Sequence, residues 1–431
     1  MPRATIGRRD ARECTTASEL DGAGPGVVSC NVNALYSAAL FVLPPQRPAM
    51  STTRLHALAA AGTSIWLDYI DRVMLGNGDL TRRIRDDALS GMTSNPSIFE
   101  KALAEGNAYD AQISDAAAGL SAWALFELLE TTDVRNACDQ FAAVYRDTKG
   151  TDGYVSIEVS PGSANDAAAT IEEAHRLWTT VARPNVMIKV PGTDAGCVAV
   201  RRLIADGINV NITLLFAVEA HAKVIAAYLG GLEERVSKGL PIEQIASVAS
   251  FFVSRVDSEV DKRLDAAVAG AADDATKQRL ATLKGVAAIA NARLAYALFR
   301  REFSGTRWAA LAARGGRLQR PLWASTSTKN PSYRDVMYLE ELAGPDTVNT
   351  VPPATLEAFR DHGDVRDALT GTEAGARASI ATIEDAGIPM AAVTAKLLTE
   401  GLASFQKSFD TLIAGLERKT ASLGRQLLGS L

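Results

Sequence analysis

The sequence predicts an α/β fold: a single closed (β/α)8 barrel of the TIM type with extra C-terminal helices. From residue 51 onward, eight short apolar runs of strand-like composition alternate with amphipathic helical patterns. Repeated β-then-α order indicates a parallel sheet, and eight such units in one chain indicate closure into a barrel. A chain of 431 residues is long enough for such a domain with insertions.

The predicted strands are the runs 64–70, 91–95, 154–160, 185–190, 208–215, 245–252, 321–326 and 347–351. Helical patterns separate them, among them 121–146, 168–182, 217–230 and one long helix over 273–303. Further helices are predicted at 355–362, 373–386 and 390–416, where they are expected to pack on the barrel and cover part of its mouth. A doubly wound open sheet is the alternative, but such a sheet usually carries a glycine fingerprint after its first strand. This chain has DYIDR there, at residues 68–72.

The first fifty residues do not follow this alternation. They contain a Gly/Pro stretch at 21–27 and an apolar run at 34–43, which is too short to span a bilayer and too far from the start for an ordinary signal peptide. We expect residues 1–50 to be a disordered leader, or translation to begin at Met50, directly before the first helical pattern. A transit peptide is a third alternative, weakened by four acidic residues. The barrel domain is predicted over 51–418 and a C-terminal tail over 419–431.

Composition and charge restrict the function. The formal net charge of -5 favours neither nucleic acid nor an anionic membrane surface, so a phosphate ligand must meet a local cluster of cations. The four cysteines form no CxxC pair and the four histidines have no metal-ligand spacing, so neither a zinc site, a disulfide framework nor metal catalysis is predicted. The cysteine usage indicates a reducing compartment. We therefore expect chemistry carried out by lysine and carboxylates.

Lys189 is the residue that points to this chemistry. It lies inside a short apolar run that ends in a turn, IKVPGT at residues 188–193. Burying an ionised amine there is costly unless a partner or a chemical task compensates. The alternative is a structural lysine whose stem lies along the core while its ammonium reaches water or a carboxylate.

The alternation of side chains along each strand places further polar groups beside this lysine. Barrel strands direct successive side chains to the helical layer and to the interior. In four of the predicted strands the apolar residues share one parity, which leaves an inward set: Trp66, Asp68, Ser156, Glu158, Asn185, Met187, Lys189, Asn209, Asn211 and Thr213. A purely structural salt-bridge network is the alternative, although buried ion pairs often give no net stabilisation.

An amine beside carboxylates predicts Schiff-base catalysis on a carbonyl substrate. The iminium formed by lysine acts as an electron sink, so a neighbouring C–C bond breaks when a base removes a hydroxyl proton. No cofactor is expected, because the iminium itself stabilises the carbanion.

From about residue 54 to residue 416 the chain resembles transaldolase, in its longer bacterial form. Each motif alone is weak evidence, but their order and spacing together are specific. The motifs are SIWLD at 64–68, GMTSNPSIF at 91–99, IKVPGT at 188–193, NITLLF at 211–216, SFFVSR at 250–255 and WASTSTKNP at 323–331.

The resemblance implies a role for each matching residue. Lys189 would form the Schiff base, and Asp68 would exchange the proton of the hydroxyl on the cleaved side. Glu158, acting through a water held near Thr213, would transfer protons while the carbinolamine dehydrates. The implied substrate ligands are Asn95 and Asn211 for donor hydroxyls, Ser250 and Phe252 in the same pocket, and Arg255, Ser327 and Lys329 for the phosphate. Better-known members have arginine where this chain has Lys329.

Phe252 and Glu158 favour group transfer over simple cleavage. The small sugar-phosphate aldolases that resemble transaldolase carry tyrosine at the position of Phe252, lack the carboxylate of Glu158 and release the donor to water. The resemblance implies transfer of a dihydroxyacetone unit from sedoheptulose 7-phosphate or fructose 6-phosphate to glyceraldehyde 3-phosphate or erythrose 4-phosphate. It also implies sugar phosphates as the partners, the cytoplasmic pentose phosphate pathway as the setting, and a monomer or homodimer. A fructose-6-phosphate-type aldolase and a non-catalytic sugar-phosphate-binding barrel are the alternatives.

Overall fold

The computed structural model describes residues 53–104, 106–116 and 119–429, with side chains as far as residue 423. The leader predicted over residues 1–50 lies outside this part of the chain, as do the last two residues of the predicted tail. Within it, no helix is long and apolar enough to cross a membrane.

In the described residues, eight parallel strands close into a barrel in chain order, so the predicted fold class is confirmed. Each predicted strand run overlaps one of them. Their bounds are β1 (Thr63–Asp68), β2 (Leu89–Thr93), β3 (Tyr154–Glu158), β4 (Val186–Pro191), β5 (Val210–Leu215), β6 (Ser247–Phe252), β7 (Gln319–Ala324) and β8 (Thr347–Val351).

Helices surround the barrel and follow it. Their bounds are α1 (Arg54–Ala60), α2 (Arg72–Gly76), α3 (Asp79–Asp86), α4 (Pro96–Ala104), α5 (Asp110–Asp115), α6 (Ala122–Asp147), α7 (Ala167–Val181), α8 (Asp194–Asp206), α9 (Val218–Ser237), α10 (Ser254–Gly270), α11 (Asp274–Ala281), α12 (Ala287–Glu302), α13 (Thr306–Ala312), α14 (Met337–Glu341), α15 (Pro353–His362), α16 (Glu373–Asp385) and α17 (Met390–Gly429). A short 3-10 helix, Pro161–Ser163, follows β3.

The single long helix predicted over 273–303 is wrong. The chain forms α11 and α12 instead, separated by a turn in which Gly285 has a φ of 71°. Such a positive φ is readily adopted by glycine and cannot continue a right-handed helix. The backbone N–H of Gly285 donates instead to Oδ1 of Asp261 on α10, at 3.1 Å. The apolar periodicity continues across the break, which is why the pattern gave no sign of it.

The inward parity predicted for Asn185 is also wrong. Its side-chain amide donates to the carbonyls of Cys138 on α6, at 2.9 Å, and of Gly153, at 2.8 Å. Asn185 precedes the first residue of β4, so the strand alternation does not yet apply to it. Asn209 likewise precedes β5 and donates to the carbonyls of Pro184 and Val186. These two amides fix loops at the N-terminal end of the barrel, opposite the rim where the catalytic groups were expected.

Polar side chains also fill the N-terminal end of the barrel interior. Trp66 Nε1 donates to Oδ1 of Asp152 at 2.8 Å, and Arg320 pairs with the same carboxylate at 3.3 Å while donating to Ser64 Oγ at 2.6 Å. Asp152 lies just before β3 and Arg320 lies near the start of β7. These contacts fill part of the N-terminal end of the barrel, opposite the C-terminal ends of its strands.

The last helix, α17, is longer than the predicted 390–416 and continues through the boundary predicted at residue 418. Phe405 and Phe409 on this helix are buried. Phe409 contacts Trp123 of α6, with ring centroids 4.9 Å apart. The C-terminal helices therefore pack on the barrel, as predicted.

Candidate active site

The strand register brings the candidate catalytic residues together. On neighbouring strands Glu158 of β3 pairs with Lys189 of β4, and Lys189 pairs with Asn211 of β5. On the other side of the barrel, Asp68 at the end of β1 pairs with Thr93 at the end of β2. All these positions lie toward the C-terminal ends of the strands, where barrel enzymes have their active sites.

A cavity of about 440 Å³ opens at this rim. Most of the residues predicted for the site line it, and they come from six of the eight strands or the loops after them. These are Asp68, Asn95, Lys189, Thr213, Ser250, Phe252, Arg255, Ser327 and Lys329. Its size and mixed polar lining suit a small polar ligand. Among the described residues, no three His, Cys, Asp or Glu side chains lie close enough together to hold a metal ion.

Lys189 is buried at the bottom of this cavity and faces a carboxylate. Its Nζ lies 3.0 Å from Oε2 of Glu158, and it donates a hydrogen bond of 2.9 Å to the carbonyl of Ser94. Both partners of the ion pair are almost fully buried, with side chains 6% and 3% exposed. Burial raises the pKa of Glu158, while the positive charge of Lys189 opposes that rise. An amine and a carboxyl of raised pKa in contact can exchange a proton during a reaction.

Two side-chain oxygens, one of Glu158 itself and one of Thr213, have no hydrogen-bond partner in the described part of the chain. Oε1 of Glu158 and Oγ1 of Thr213 are buried and accept or donate no hydrogen bond within the described part of the chain. Buried polar atoms are nearly always hydrogen-bonded to protein or water, so these oxygens are available to a bound water or a substrate hydroxyl.

Asp68 lies across the cavity from this pair. Burial raises its pKa, whereas Lys189, a hydrogen bond of 2.8 Å from Thr93 Oγ1, Arg255 and Lys329 all act to lower it. The net shift is upward. A carboxyl with a raised pKa in a substrate-sized cavity is suited to act as a general base and then as a general acid.

The outer part of the cavity is cationic. Arg255 lies in the first turn of α10, and its guanidinium lies over the ring of Phe252, 5.3 Å from the centroid. Lys329 lies in the loop after β7 and donates to Ser327 Oγ at 2.7 Å. Burial lowers the pKa of Lys329, and the nearby charge of Arg255 adds to that effect. Two cations beside a helix N-terminus are suited to bind an anion.

Two predicted residues do not line the cavity. Asn211 is fully buried beneath it, where its amide nitrogen donates to Ser156 Oγ at 3.0 Å and its oxygen accepts from Ser250 Oγ at 2.6 Å. Both ends of this amide are occupied by protein, so in this structure Asn211 orients Ser250. Glu158 lies behind Lys189 and faces a smaller internal space that it shares with Glu130 and Glu173.

The chain is similar to known proteins over nearly all of its described length. A family model described as Transaldolase/Fructose-6-phosphate aldolase matches residues 65–416. Transaldolase 2 of Nostoc sp. strain PCC 7120 is 46% identical over 378 residues, covering 87% of this chain and 99% of that protein. Transaldolase of Mycolicibacterium smegmatis is 47% identical over 361 residues, covering 83% of this chain and 95% of the relative.

The chain belongs to the transaldolase/fructose-6-phosphate aldolase family. The family predicted from the six motifs is therefore confirmed, and with it the prediction of an enzyme of the transferase class. Transaldolase 1 of Streptomyces coelicolor, 46% identical over 372 residues, covers 86% of this chain and 96% of its own length.

Several residues that contact the candidate site of this transaldolase-family chain were missed by the sequence analysis. Thr93 hydrogen-bonds Asp68, the carbonyl of Ser94 accepts from Lys189, and Phe405 of α17 lines the cavity mouth. Thr93 and Ser94 lie inside the motif at 91–99, so that motif contained the signal. Phe405 had no local signal, because its contact depends on where the C-terminal helix packs.

Glu130 was missed for a different reason. It is a buried acid on α6, next to Glu158, and burial raises its pKa well above the ordinary value, with the negative charges of Glu158 and Glu173 adding to the rise. A charged residue in an amphipathic helix ordinarily faces solvent, so nothing in the pattern marked this one as buried.

Proposed function

We propose that this protein transfers a dihydroxyacetone unit from a ketose phosphate to an aldose phosphate through a Schiff base on Lys189. The donors would be sedoheptulose 7-phosphate and fructose 6-phosphate, and the acceptors glyceraldehyde 3-phosphate and erythrose 4-phosphate. The observation that carries the proposal is the contact of 3.0 Å between Oε2 of Glu158 and Nζ of Lys189, a residue that lines the same cavity as Asp68. The family membership of the chain supports the same chemistry.

In the first half of the reaction, the neutral amine of Lys189 attacks the ketone carbon of the donor and forms a carbinolamine. Glu158 then supplies the proton with which the hydroxyl leaves as water, and the iminium forms. The unpartnered oxygens of Glu158 and Thr213 favour a water between them as the carrier of this proton. The carboxylate of Glu158 also stabilises the positive charge of the iminium.

Asp68 acts in the next step as the base. It takes the proton from the hydroxyl on the far carbon of the bond that breaks, that carbon becomes the aldehyde, and the electron pair of the bond moves to the iminium. The aldose phosphate leaves and the dihydroxyacetone unit stays on Lys189 as an enamine. Addition of the second aldose phosphate reverses these steps, with Asp68 now returning the proton.

Binding of the substrate divides into two parts. Asn95 and Ser250 would contact the donor hydroxyls, since Oδ1 of Asn95 accepts from Ile98 N–H at 3.1 Å and its amide nitrogen is left for a ligand. Arg255, Ser327 and Lys329 would bind the phosphate at the cavity mouth. Arginine and lysine are the usual phosphate ligands in proteins, the first bidentate and the second as a point charge. We place the reaction in the cytoplasm and in the pentose phosphate pathway.

Trapping of the covalent intermediate tests this proposal. Borohydride reduction in the presence of fructose 6-phosphate should add the mass of a reduced dihydroxyacetone or hexose phosphate adduct to the intact protein, on the peptide that contains Lys189. The variant Lys189→Ala should fold and give no adduct. An adduct on another residue, or one that persists in Lys189→Ala, would contradict the assignment.

An assay with and without acceptor distinguishes transfer from cleavage. A transaldolase forms erythrose 4-phosphate from sedoheptulose 7-phosphate only in proportion to added glyceraldehyde 3-phosphate, whereas an aldolase releases free dihydroxyacetone without it. We expect strict dependence on the acceptor. A barrel that only binds sugar phosphates would give neither product nor adduct.

A further inference from the structure

The loop between β7 and α14 carries Ser327 and Lys329, the two phosphate ligands that do not belong to a helix. Most of the loop is exposed or half-buried, and Lys329, Pro331 and Ser332 are exposed. Buried residues hold its two ends. At the first end Oγ1 of Thr326 donates to Oδ1 of Asn349, at 2.9 Å. Lys329 therefore depends on other contacts for its position over the cavity.

Tyr333 supplies such a contact in the second half of the loop. Its hydroxyl donates to Oδ2 of Asp261 at 2.5 Å. Asp261 is a buried residue of α10, the same helix whose first turn carries Arg255. This hydrogen bond thus joins the loop that carries Lys329 to the helix that carries Arg255.

Gly285 completes this contact. Its backbone N–H donates to the other oxygen of Asp261, and the ring of Tyr333 packs directly over its Cα. A Cβ at this position would lie 2.9 Å from Cζ of Tyr333, closer than normal packing allows. The break between α11 and α12 therefore provides the surface on which Tyr333 lies.

The surroundings of Lys329 show why a fixed position matters. Lys329 lines the active-site cavity and also a second cavity of about 290 Å³, on the other side of the loop. That second cavity is lined by acidic residues of α10 together with Lys262: Asp257, Asp261 and Asp265. Asp265 forms an ion pair with Lys284, and the hydroxyl of Tyr333 donates a hydrogen bond to Asp261. Without Tyr333, the carboxylate of Asp261 could attract the ammonium of Lys329 away from the substrate.

We infer that Tyr333 is a positioning residue for phosphate recognition, which holds the loop carrying Ser327 and Lys329 in place over the first turn of α10. This inference rests on the proposed function of the cavity as a sugar-phosphate site. Tyr333 itself does not line that cavity and touches no reacting atom. Its effect should therefore appear in the affinity for the phosphate group and not in the chemical step.

Steady-state kinetics with two acceptors provide the test. For Tyr333→Phe, which keeps the ring and loses one hydrogen bond, KM for glyceraldehyde 3-phosphate should rise about fivefold, the equivalent of one net hydrogen bond. Tyr333→Ala should raise it further. In both variants kcat with the phosphorylated acceptor, and KM for unphosphorylated glyceraldehyde, should stay close to the original values.

Two further variants separate positioning from stability. Tyr338→Phe removes a comparable hydrogen bond to α10, which the Tyr338 hydroxyl donates to Oδ2 of Asp257 at 2.8 Å. Tyr338 lies in α14, beyond the loop. This variant should lower Tm without a phosphate-specific change in KM. Gly285→Ala leaves Tyr333 in the chain but displaces its ring, so it should reproduce the phosphate-specific loss of Tyr333→Ala.

Equal changes in KM for both acceptors, no change for either, or the same phosphate-specific loss in Tyr338→Phe would overturn the inference. Calorimetric titration with inorganic phosphate gives a readout that does not depend on group transfer. If the protein formed no Lys189 adduct but Tyr333→Phe still weakened phosphate binding, the proposed function would fail and the positioning role would stand. If an adduct formed on Lys189 but the phosphate affinity of Tyr333→Phe were unchanged, the proposed function would stand and the positioning role would fail.

Discussion

Nζ of Lys189 and Oε2 of Glu158 lie 3.0 Å apart on neighbouring strands in direct register, and both side chains are almost fully removed from solvent. A buried ion pair of this kind contributes little net stability, because desolvation of the two charges offsets their attraction. Its position near the C-terminal ends of the strands instead fits the proposed chemical role. Under that proposal the pair would provide an amine for attack and a carboxyl for the proton transfers that dehydration requires.

Glu158→Gln should slow formation of the Schiff base. The amide retains the size of the side chain but cannot supply or accept the proton, and general acid–base catalysis typically contributes about 100-fold or more. The rate at which the borohydride-trappable adduct appears, measured by rapid mixing, should fall by about that factor. Glu173→Gln is the matched control, because Glu173 is a buried neighbouring carboxylate that bonds Ser160 and not Lys189. Equal losses in both variants would argue against a specific role of Glu158.

Asp68→Ala should separate adduct formation from bond cleavage. Lys189 and Glu158 remain in place, so the trapped adduct still forms, but no base removes the hydroxyl proton and the C–C bond breaks slowly. Quenched-flow analysis with fructose 6-phosphate should show the intact hexose phosphate accumulating on Lys189. Asp71→Asn serves as the control: Asp71 caps α2 through Met74 N–H and does not line the cavity. Rapid cleavage in Asp68→Ala would rule out this base.

Thr93→Val should move the acid limb of the kcat profile to higher pH. The hydrogen bond from Thr93 lowers the pKa of Asp68 by stabilising its ionised form, in opposition to burial. Without that bond the pKa of Asp68 rises further, so the base is protonated, and activity lost, at a higher pH. Thr93→Ser keeps the hydroxyl and should restore the original limb. A pH profile that is identical in the Val and Ser variants would show that this bond does not tune Asp68.

His221→Leu should reduce the loss of stability on acidification. Burial lowers the pKa of His221 from its ordinary 6.5 to about 4. Below pH 6.5 the unfolded chain therefore binds a proton that the folded protein does not, and stability falls as the pH falls toward 4. At about 1.4 kcal/mol per pH unit, this residue accounts for a loss of about 3 kcal/mol over that range.

Chemical denaturation of His221→Leu and the original protein at several pH values between 7 and 4.5 measures this effect. The difference in the free energy of unfolding between the two should change steadily in favour of the variant as the pH falls. A difference that is constant with pH would show that His221 is not held neutral in the folded state. The part of this difference in the free energy of unfolding that does not vary with pH comes from the change in packing. Only the part that varies with pH tests the prediction.

The strands were predictable because parallel barrel strands are short, apolar and followed by helices, and each of these properties is local. The alternation of β4 identified Lys189, and the same reasoning identified Asp68, Glu158 and Thr213. It failed at Asn185 and Asn209, since alternation applies only once the strand has begun and both residues lie before that point. The helical periodicity failed at Gly285, where one residue with a positive φ interrupts a continuous helical pattern.

The sequence by itself determined the order of strands and helices, the family, and which residue types face the barrel interior, because periodicity and motif spacing are properties of the chain. Only the tertiary structure decided which of those residues share one cavity. Glu158 lies behind Lys189, Asn211 lies beneath Ser250, and Tyr333 reaches Asp261 across 72 positions of sequence. Contacts of this kind depend on strand register and on where loops and helices pack, and no local pattern encodes those distances.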